Sequence, residues 1–213
     1  MAFSSDTTTP GSAGMAHGHD GQLAALIGSR ICHDLISPIG AIANGLELLE
    51  LAGHGHGPEL DLISDSVTNA GARIRFFRVA YGAAHDQEMS RMEVVSILDD
   101  LGRSARLACR WTPAGTVARA DARLAFLSIQ CLETAMPLGG EIEVSETESG
   151  WTVTGTGSKI AIDAELWSRL DEPKEIGTLA PAQVQFALLP VVAREMGRTL
   201  GWRSDESSAT IEF

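Results

Sequence analysis

Apolar residues recur at alternating steps of four and three along the first third of the 213-residue chain. The first series is Ile31, Leu35, Pro38, Ile42, Gly45, Leu49 and Ala52. A second series lies between Glu59 and Gly82 and consists of Leu60, Ile63, Val67, Ala70, Ile74, Phe77 and Tyr81. This spacing is typical of helices that pack lengthwise against other helices. The pattern therefore predicts two long helices.

The connection between these two helices is short and contains several glycines. Glycine favours the end of a helix, and Pro58 suits the start of the next one, so the segment predicts an antiparallel hairpin over residues 21–86. A single hairpin cannot cover its own apolar seam. We therefore expect two copies to pair as a homodimer whose hairpins form a four-helix bundle. Residues 1–20, rich in Ser, Thr, Gly and Ala, are predicted to be a disordered tail.

The pattern changes after about Gln87, where shorter helical and β segments alternate. The predicted helices are Arg91–Leu107, Asp121–Met136 and Ala180–Met196. The predicted strands are Ala108–Trp111 with a partner near Val117, Glu141–Val144, Trp151–Thr156, Ile160–Ile162, Thr199–Arg203 and Ala209–Phe213. Gly155-Thr156-Gly157 is interpreted as a hairpin turn. Residues 87–213 are thus predicted to form a two-layer α/β sandwich with an antiparallel sheet.

The first helix carries the chain's clearest candidate for chemistry, a histidine followed by a carboxylate. At about 100° per residue, His33 lies roughly 160° from Leu35 and so points away from the apolar seam. The other positions on its side of the helix are small or polar: Ser29, Ser37, Gly40, Asn44 and Glu47. We expect an exposed imidazole with room for another protein to approach it.

Asp34 could either orient the imidazole of His33 or accept its proton while the other ring nitrogen acts as a nucleophile. Pro38 cannot donate the backbone hydrogen bond that the Asp34 carbonyl would normally accept, so a helix bend is expected nearby. A lone histidine is also commonly an ordinary surface residue. The residues alone leave both interpretations open.

Composition narrows the classes of partner. The formal charge of −12, from 28 acidic and 16 basic residues, argues against nucleic acid and anionic membranes as partners. The three distant cysteines form neither a disulfide framework nor a metal motif, as expected of a cytoplasmic protein, and no secretory signal or membrane span is expected. The glycine-flanked pairs His17/His19 and His54/His56 lack a further ligand, so no metal site is predicted.

The run from His33 to Pro38, HDLISP, resembles the phosphoacceptor motif of sensor histidine kinases. The longer run HDLISPIGAIANGLELLEL resembles the first helix of the ChpT-type histidine phosphotransferases of alphaproteobacteria, a resemblance that extends from about residue 21 to the end. It implies a dimerisation and phosphotransfer hairpin followed by a degenerate kinase ATPase-like domain. It also implies a phosphorelay between receiver domains of a hybrid histidine kinase and of response regulators, including a cell-cycle regulator.

Under this resemblance, His33 is the phosphoryl carrier and Asp34 orients or deprotonates its ring, while Ser37 positions phosphate or water. Around them, we expect partner contacts from Arg30, Ile36, Gly40 and Asn44. The chain needs no cofactor of its own, and Mg²⁺ is expected in the receiver's acidic pocket, where it neutralises phosphoryl oxygens.

The second domain departs from the nucleotide-binding pattern of the kinases that it resembles. The helix before Gly139 lacks the expected metal-binding asparagine, and Val153 stands where an adenine-binding aspartate is expected. No glycine-rich phosphate loop precedes the last helix, where the sequence reads Val184–Leu189. ATP binding is therefore not expected. Two alternatives remain, an autophosphorylating sensor kinase and a non-catalytic dimeric scaffold.

Overall fold

The computed structural model describes residues 12–52, 58–82, 87–103, 106–147, 150–172 and 179–213. Its helices are α1 Ser12–Ala52, α2 Pro58–Ala80, α3 Arg91–Gly102, α4 Arg119–Ala135, α5 Ala164–Asp171 and α6 Gln185–Glu195. Its strands are β1 Glu88–Met89, β2 Leu107–Trp111, β3 Val117–Ala118, β4 Gly140–Thr147, β5 Gly150–Thr156, β6 Gly201–Ser204 and β7 Ser208–Glu212. The predicted order, a helical hairpin followed by an α/β domain, is confirmed.

Helices α1 and α2 pack against each other along the seam that the spacing predicts. Pro38 and Gly45 are buried in it, and α1 continues through Pro38 to Ala52 without interruption. Helix α1 begins at Ser12, inside the stretch predicted to be a disordered tail, because a helix that has already formed gains one hydrogen bond with each further residue, even though Gly14 and Gly18 lower the helix propensity here. The connection at 53–57, with His54 and His56, lies outside the described residues.

Within the single chain, the predicted seam of α2 is only partly covered. Val67 and Ile74 are 53% and 46% exposed, whereas Phe76 is almost fully buried. The reason is that the C-terminal half of α2 packs against α3 and α4 as well as against α1. Phe76 stacks on Phe126 of α4 with ring centroids 4.7 Å apart. The end of the hairpin is therefore built into the core of the second domain.

The second domain contains a five-stranded sheet in the order β2-β4-β5-β7-β6. One face is apolar and lies under α4, α5 and α6, and its buried residues include Ile142, Val153 and Ile211. The other face is polar, where Thr154 and Thr210 are hydrogen-bonded across β5 and β7. The sheet is mixed rather than antiparallel throughout, because β2 reaches β4 through the α4 crossover and pairs with it in parallel.

Several local predictions in this domain are wrong. Residues Ile160–Ile162 form no strand, and the partner of Val117 is Met89 of β1. Helix α5 was not predicted, although Asp163 caps its first turn by accepting a hydrogen bond from the Leu166 amide at 3.1 Å. The last predicted helix divides into a short 3-10 helix, Pro181–Gln183, and α6.

Within the part of the chain that the structure describes, no helix is long and apolar enough to cross a membrane. The same described residues contain no group of three or more His, Cys, Asp and Glu side chains able to hold a metal ion.

Candidate phosphotransfer site

The imidazole of His33 points into solvent from the middle of α1, with 77% of its side chain exposed. The neighbours that the helical spacing places on its side are also exposed: Ser29, Ser37, Gly40, Asn44 and Glu47. A planar ring thus stands on a surface of small and polar side chains. Another protein can reach it without displacing packed residues.

The Asp34 carboxylate is in contact with this ring. Its Oδ1 lies 3.1 Å from Nδ1 of His33. An ionised carboxylate can only accept a hydrogen bond, so a neutral imidazole must donate through Nδ1–H. The other ring nitrogen, Nε2, then keeps its lone pair. This arrangement leaves a nucleophilic nitrogen on the exposed histidine.

The Asp34 side chain is only 9% exposed and is held by two arginines. Its Oδ2 lies 3.0 Å from Nε of Arg30, one turn earlier on α1, and accepts a hydrogen bond at 3.3 Å from Nη1 of Arg73 on α2. Arg30 was predicted to contact a partner, but 12% of its side chain is exposed and its Nη1 donates to the Ala182 carbonyl at 2.7 Å. Sequence reasoning did not connect Arg73 with Asp34, since 39 residues separate them.

A groove of about 530 Å³ runs beside this cluster, between the hairpin and α3. Asp34, Ser37 and Pro38 of α1 form one wall, and Asp65 and Asn69 of α2 form part of another. The C-terminal end of α3 closes the groove with Asp100 and with Arg103, the residue after the helix, which form an ion pair at 3.2 Å. Ser37 is exposed one turn after His33, as predicted, and lies where the groove meets the histidine-bearing helix.

The predicted partner contacts Ile36, Gly40 and Asn44 are all exposed on α1. Ile36 is the most informative of them, because 68% of this large apolar side chain is exposed. Its position on α1 is between the face of His33 and a second surface, which is apolar. The structure thus brings an apolar anchor close to the candidate nucleophile.

The second surface, which we call the apolar stripe, consists of Ile39 and Leu46 on α1 and of Val67 and Ile74 on α2. All four side chains are about half exposed, between 46% and 57%. Because the helices are antiparallel and turn by about 100° per residue, both pairs lie on one side of the hairpin, opposite the groove. Neighbouring exposed apolar side chains of this kind are typical of interaction sites.

In the second domain, helices α4 and α6 are joined by buried polar contacts. The side-chain oxygen Oε1 of the buried Gln130, on α4, accepts a hydrogen bond from the Tyr81 hydroxyl at 2.9 Å. The backbone carbonyl of Gln130 accepts a hydrogen bond from the side-chain amide of Gln185, on α6, at 3.4 Å. Burial raises the pKa of Tyr81 to about 12. Helix α6 therefore packs directly on α4 through these polar groups.

The Gly155-Thr156-Gly157 motif is not a hairpin turn, contrary to the sequence interpretation. Gly155 and Thr156 belong to β5, and the Gly157 amide donates to the Ser207 carbonyl at 3.0 Å. A Cβ at position 155 would lie 2.6 Å from Sδ of Met136. The first glycine thus lets the Met136 side chain, which follows α4, lie close against the sheet.

Comparison with known proteins identifies this architecture. Residues 91–208 match the family model "Histidine phosphotransferase C-terminal domain". The chain is 33% identical over 147 residues to the protein phosphotransferase ChpT of Brucella abortus (strain 2308). The aligned residues cover 66% of this chain and 70% of ChpT. A 1.7 Å structure of a bacterial phosphotransferase superposes with a TM-score of 0.74 at 25% identity, covering 96% of this chain and 98% of the other. The chain therefore belongs to the histidine phosphotransferase family.

Proposed function

We propose that this phosphotransferase carries the phosphoryl group on Nε2 of His33. The observation that carries the proposal is the pairing of an exposed ring with a carboxylate that is only 9% exposed, a geometry that suits a neutral ring with its proton on Nδ1 and a free lone pair on Nε2. Nε2 would attack the phosphorus of a receiver's aspartyl phosphate. An N–P bond then forms, the acyl phosphate P–O bond breaks, and the receiver carboxylate leaves with the electron pair.

Asp34 stabilises the positive charge that develops on the ring during this attack, because its carboxylate lies against Nδ1. The phosphohistidine then transfers the group to the aspartate of a second receiver by the reverse chemistry. The Mg²⁺ that neutralises phosphoryl oxygens would be supplied by the receiver, since this chain has no predicted metal site. We assign this relay to the cytoplasm, where three distant cysteines would stay reduced.

We further propose that the receiver docks on the face of α1 that carries His33, with Ile36, Gly40 and Asn44 as contacts. The exposed Ile36 would supply an apolar anchor beside the reacting nitrogen. Ser37, on the same face and at the rim of the groove, would position a phosphoryl oxygen or water. A hybrid kinase and response regulators, among them a cell-cycle regulator, are the partners that the family resemblance suggests.

The proposed working form is a homodimer in which the apolar stripes of two hairpins face each other in a four-helix bundle. Four half-exposed apolar side chains from each protomer support it, since burying them would remove apolar surface from water on both copies. The stripe and the face of His33 are different surfaces of α1. Dimerisation would therefore leave the histidines accessible to receivers.

We propose that the second domain binds no ATP and that the chain does not phosphorylate itself. The buried Gln130 is hydrogen-bonded to Tyr81 and Gln185, and Gly155 is packed against Met136. These groups serve the contact between α4, α6 and the sheet. The alternative, an autophosphorylating kinase, would need these positions for nucleotide and metal.

The test mixes the purified full-length protein with a radiolabelled phosphorylated receiver domain from the same organism. We expect label on the wild type, none on His33→Ala, and none when labelled ATP is the only donor. Labelling of His33→Ala to the wild-type level would contradict the assignment of the carrier. Label from ATP alone would favour the kinase alternative, and no label with a panel of receivers and a folded dimer would favour the scaffold.

A further inference from the structure

We propose that Arg30 and Arg73 are positioning residues that hold the Asp34 carboxylate and thereby fix the tautomer of His33, and that Arg30 anchors this clamp to the second domain. This inference rests on the proposed role of His33 and adds two residues that act on it through Asp34. It also gives the second domain a function that needs no nucleotide.

The first argument is that the two oxygens of the Asp34 carboxylate contact different residues. Oδ1 of Asp34 faces Nδ1 of His33 at 3.1 Å, while Oδ2 faces both arginines, at 3.0 Å from Arg30 and 3.3 Å from Arg73. The arginines therefore hold the oxygen that the histidine does not use. The contact from Arg73 is a hydrogen bond and directs the carboxylate, whereas Nε of Arg30 lies at ion-pair distance without hydrogen-bond geometry and adds charge beside it.

The second argument is the way in which each arginine is itself fixed. Nε of Arg73 donates to Oδ1 of Asn69 at 3.0 Å, which directs the guanidinium toward α1. Nη1 of Arg30 donates to the Ala182 carbonyl at 2.7 Å, in the short 3-10 helix before α6. The clamp thus joins three separate parts of the fold: α1, α2 and the second domain.

The third argument comes from the contrast in exposure between neighbouring side chains. His33 is 77% exposed and has no packing to fix its ring, whereas Asp34 is 9% exposed. A solvated imidazole exchanges its proton between the two nitrogens unless a partner selects one of them. The buried carboxylate provides that selection only while it remains ionised and correctly aimed. Both arginines supply positive charge, and Arg73 also supplies direction through its hydrogen bond to Oδ2.

The experiment measures the tautomer directly, by ¹⁵N NMR of full-length protein carrying ¹⁵N-labelled histidine. Spectra are recorded near pH 9, where an ordinary imidazole is neutral. The His33 signals are assigned by their absence from His33→Ala. The variants are Arg30→Gln, Arg73→Gln and the conservative Arg73→Lys, with the exposed Arg194→Gln on α6 as a control of equal charge change. Circular dichroism and thermal unfolding verify that each variant folds.

We expect the wild type and Arg194→Gln to hold the proton on Nδ1. Arg30→Gln and Arg73→Gln should give a mixture of both tautomers, and Arg73→Lys should recover most of the Nδ1–H form. In the phosphotransfer assay, each glutamine variant should lower kcat about tenfold while KM for the phosphorylated receiver stays within twofold. A merely structural role would change stability without moving the tautomer.

The proposal is overturned if both glutamine variants are folded and keep the wild-type tautomer, or if the wild type itself holds its proton on Nε2. The NMR measurement needs no receiver and no phosphoryl transfer. A wild type that fails to accept phosphate would therefore refute the proposed function, and a wild-type proton on Nε2 would contradict both proposals, whereas a tautomer that does not change in the arginine variants would refute this inference alone.

Discussion

Replacing Leu46 by alanine is the sharpest test of the proposed dimer. Leu46 is 52% exposed in the isolated chain and lies at the centre of the stretch of α1 beyond Pro38 that carries the apolar stripe. Fully burying a leucine stabilises by about 1.5–3 kcal/mol, so burying the remaining half contributes about 1 kcal/mol per copy. Both copies change in a symmetric dimer. Leu46→Ala should therefore cost about 2 kcal/mol of association free energy.

This loss corresponds to a roughly 30-fold increase in the dimer dissociation constant, since each 1.4 kcal/mol is a factor of ten. Alanine is the better helix former, so α1 itself should not be weakened. Analytical ultracentrifugation over a range of concentrations measures the constant. The matched control is Leu138→Ala, which removes a 63% exposed leucine from the turn between α4 and β4. It should leave the dissociation constant unchanged.

Two results would refute the reasoning. If Leu46→Ala associates as tightly as the wild type, the apolar stripe is not the dimer surface. If the wild type is a monomer at all concentrations, the stripe serves some other partner.

Three further predictions follow from single side chains. Tyr81 is the chain's one tyrosine, and burial raises its pKa to about 12. Absorbance at 295 nm should therefore titrate near 12 in the folded protein and near 10 in guanidinium. The contribution of neutral Tyr81 to the free energy of unfolding is complete below pH 10 and is lost as the pH rises from 10 to 12. Cys32 is exposed, whereas burial raises the pKa of Cys109 to about 12 and that of Cys131 well above its usual value, so Ellman's reagent should label one thiol rapidly and three after unfolding. Gly140→Ala should lower the free energy of unfolding by about 2–4 kcal/mol in urea titrations, because position 140 has φ of +150° and a Cβ would meet the Thr156 carbonyl. A titration of Tyr81 near 10 in the folded state would contradict the first prediction, and equal reactivity of all three thiols in the folded protein would contradict the second. An unfolding midpoint of Gly140→Ala equal to that of the wild type would contradict the third.

The helical hairpin could be predicted from sequence because its information is local and repetitive. The α1 series from Ile31 to Leu49 faces α2 as the spacing requires, and the same spacing correctly placed His33 on an exposed face. The α2 series is only partly covered within one chain, because a heptad pattern does not specify which neighbouring helix each apolar residue contacts. Val67 and Ile74 remain exposed in the single chain.

The clamp around Asp34 could not be predicted from local pattern, because its parts come from distant positions. Arg73 is 39 residues away, and the carbonyl of Ala182 is 152 residues from Arg30. Charged residues on helix surfaces are common, and only the packed fold distinguishes these arginines from solvated ones. In the sheet, the parallel pairing of β2 with β4 was missed for a similar reason, since strand order depends on the crossover through α4.

The central claim is that Nε2 of His33 carries the phosphoryl group, and NMR of the phosphorylated protein tests it most directly. Protein with ¹⁵N-labelled histidine is loaded from a phosphorylated receiver, and the coupling between phosphorus and nitrogen is measured. The account predicts a single phosphohistidine at His33 with phosphorus bonded to Nε2 and Nδ1 facing Asp34. Phosphorus bonded to Nδ1, or found on a residue other than His33, would contradict it.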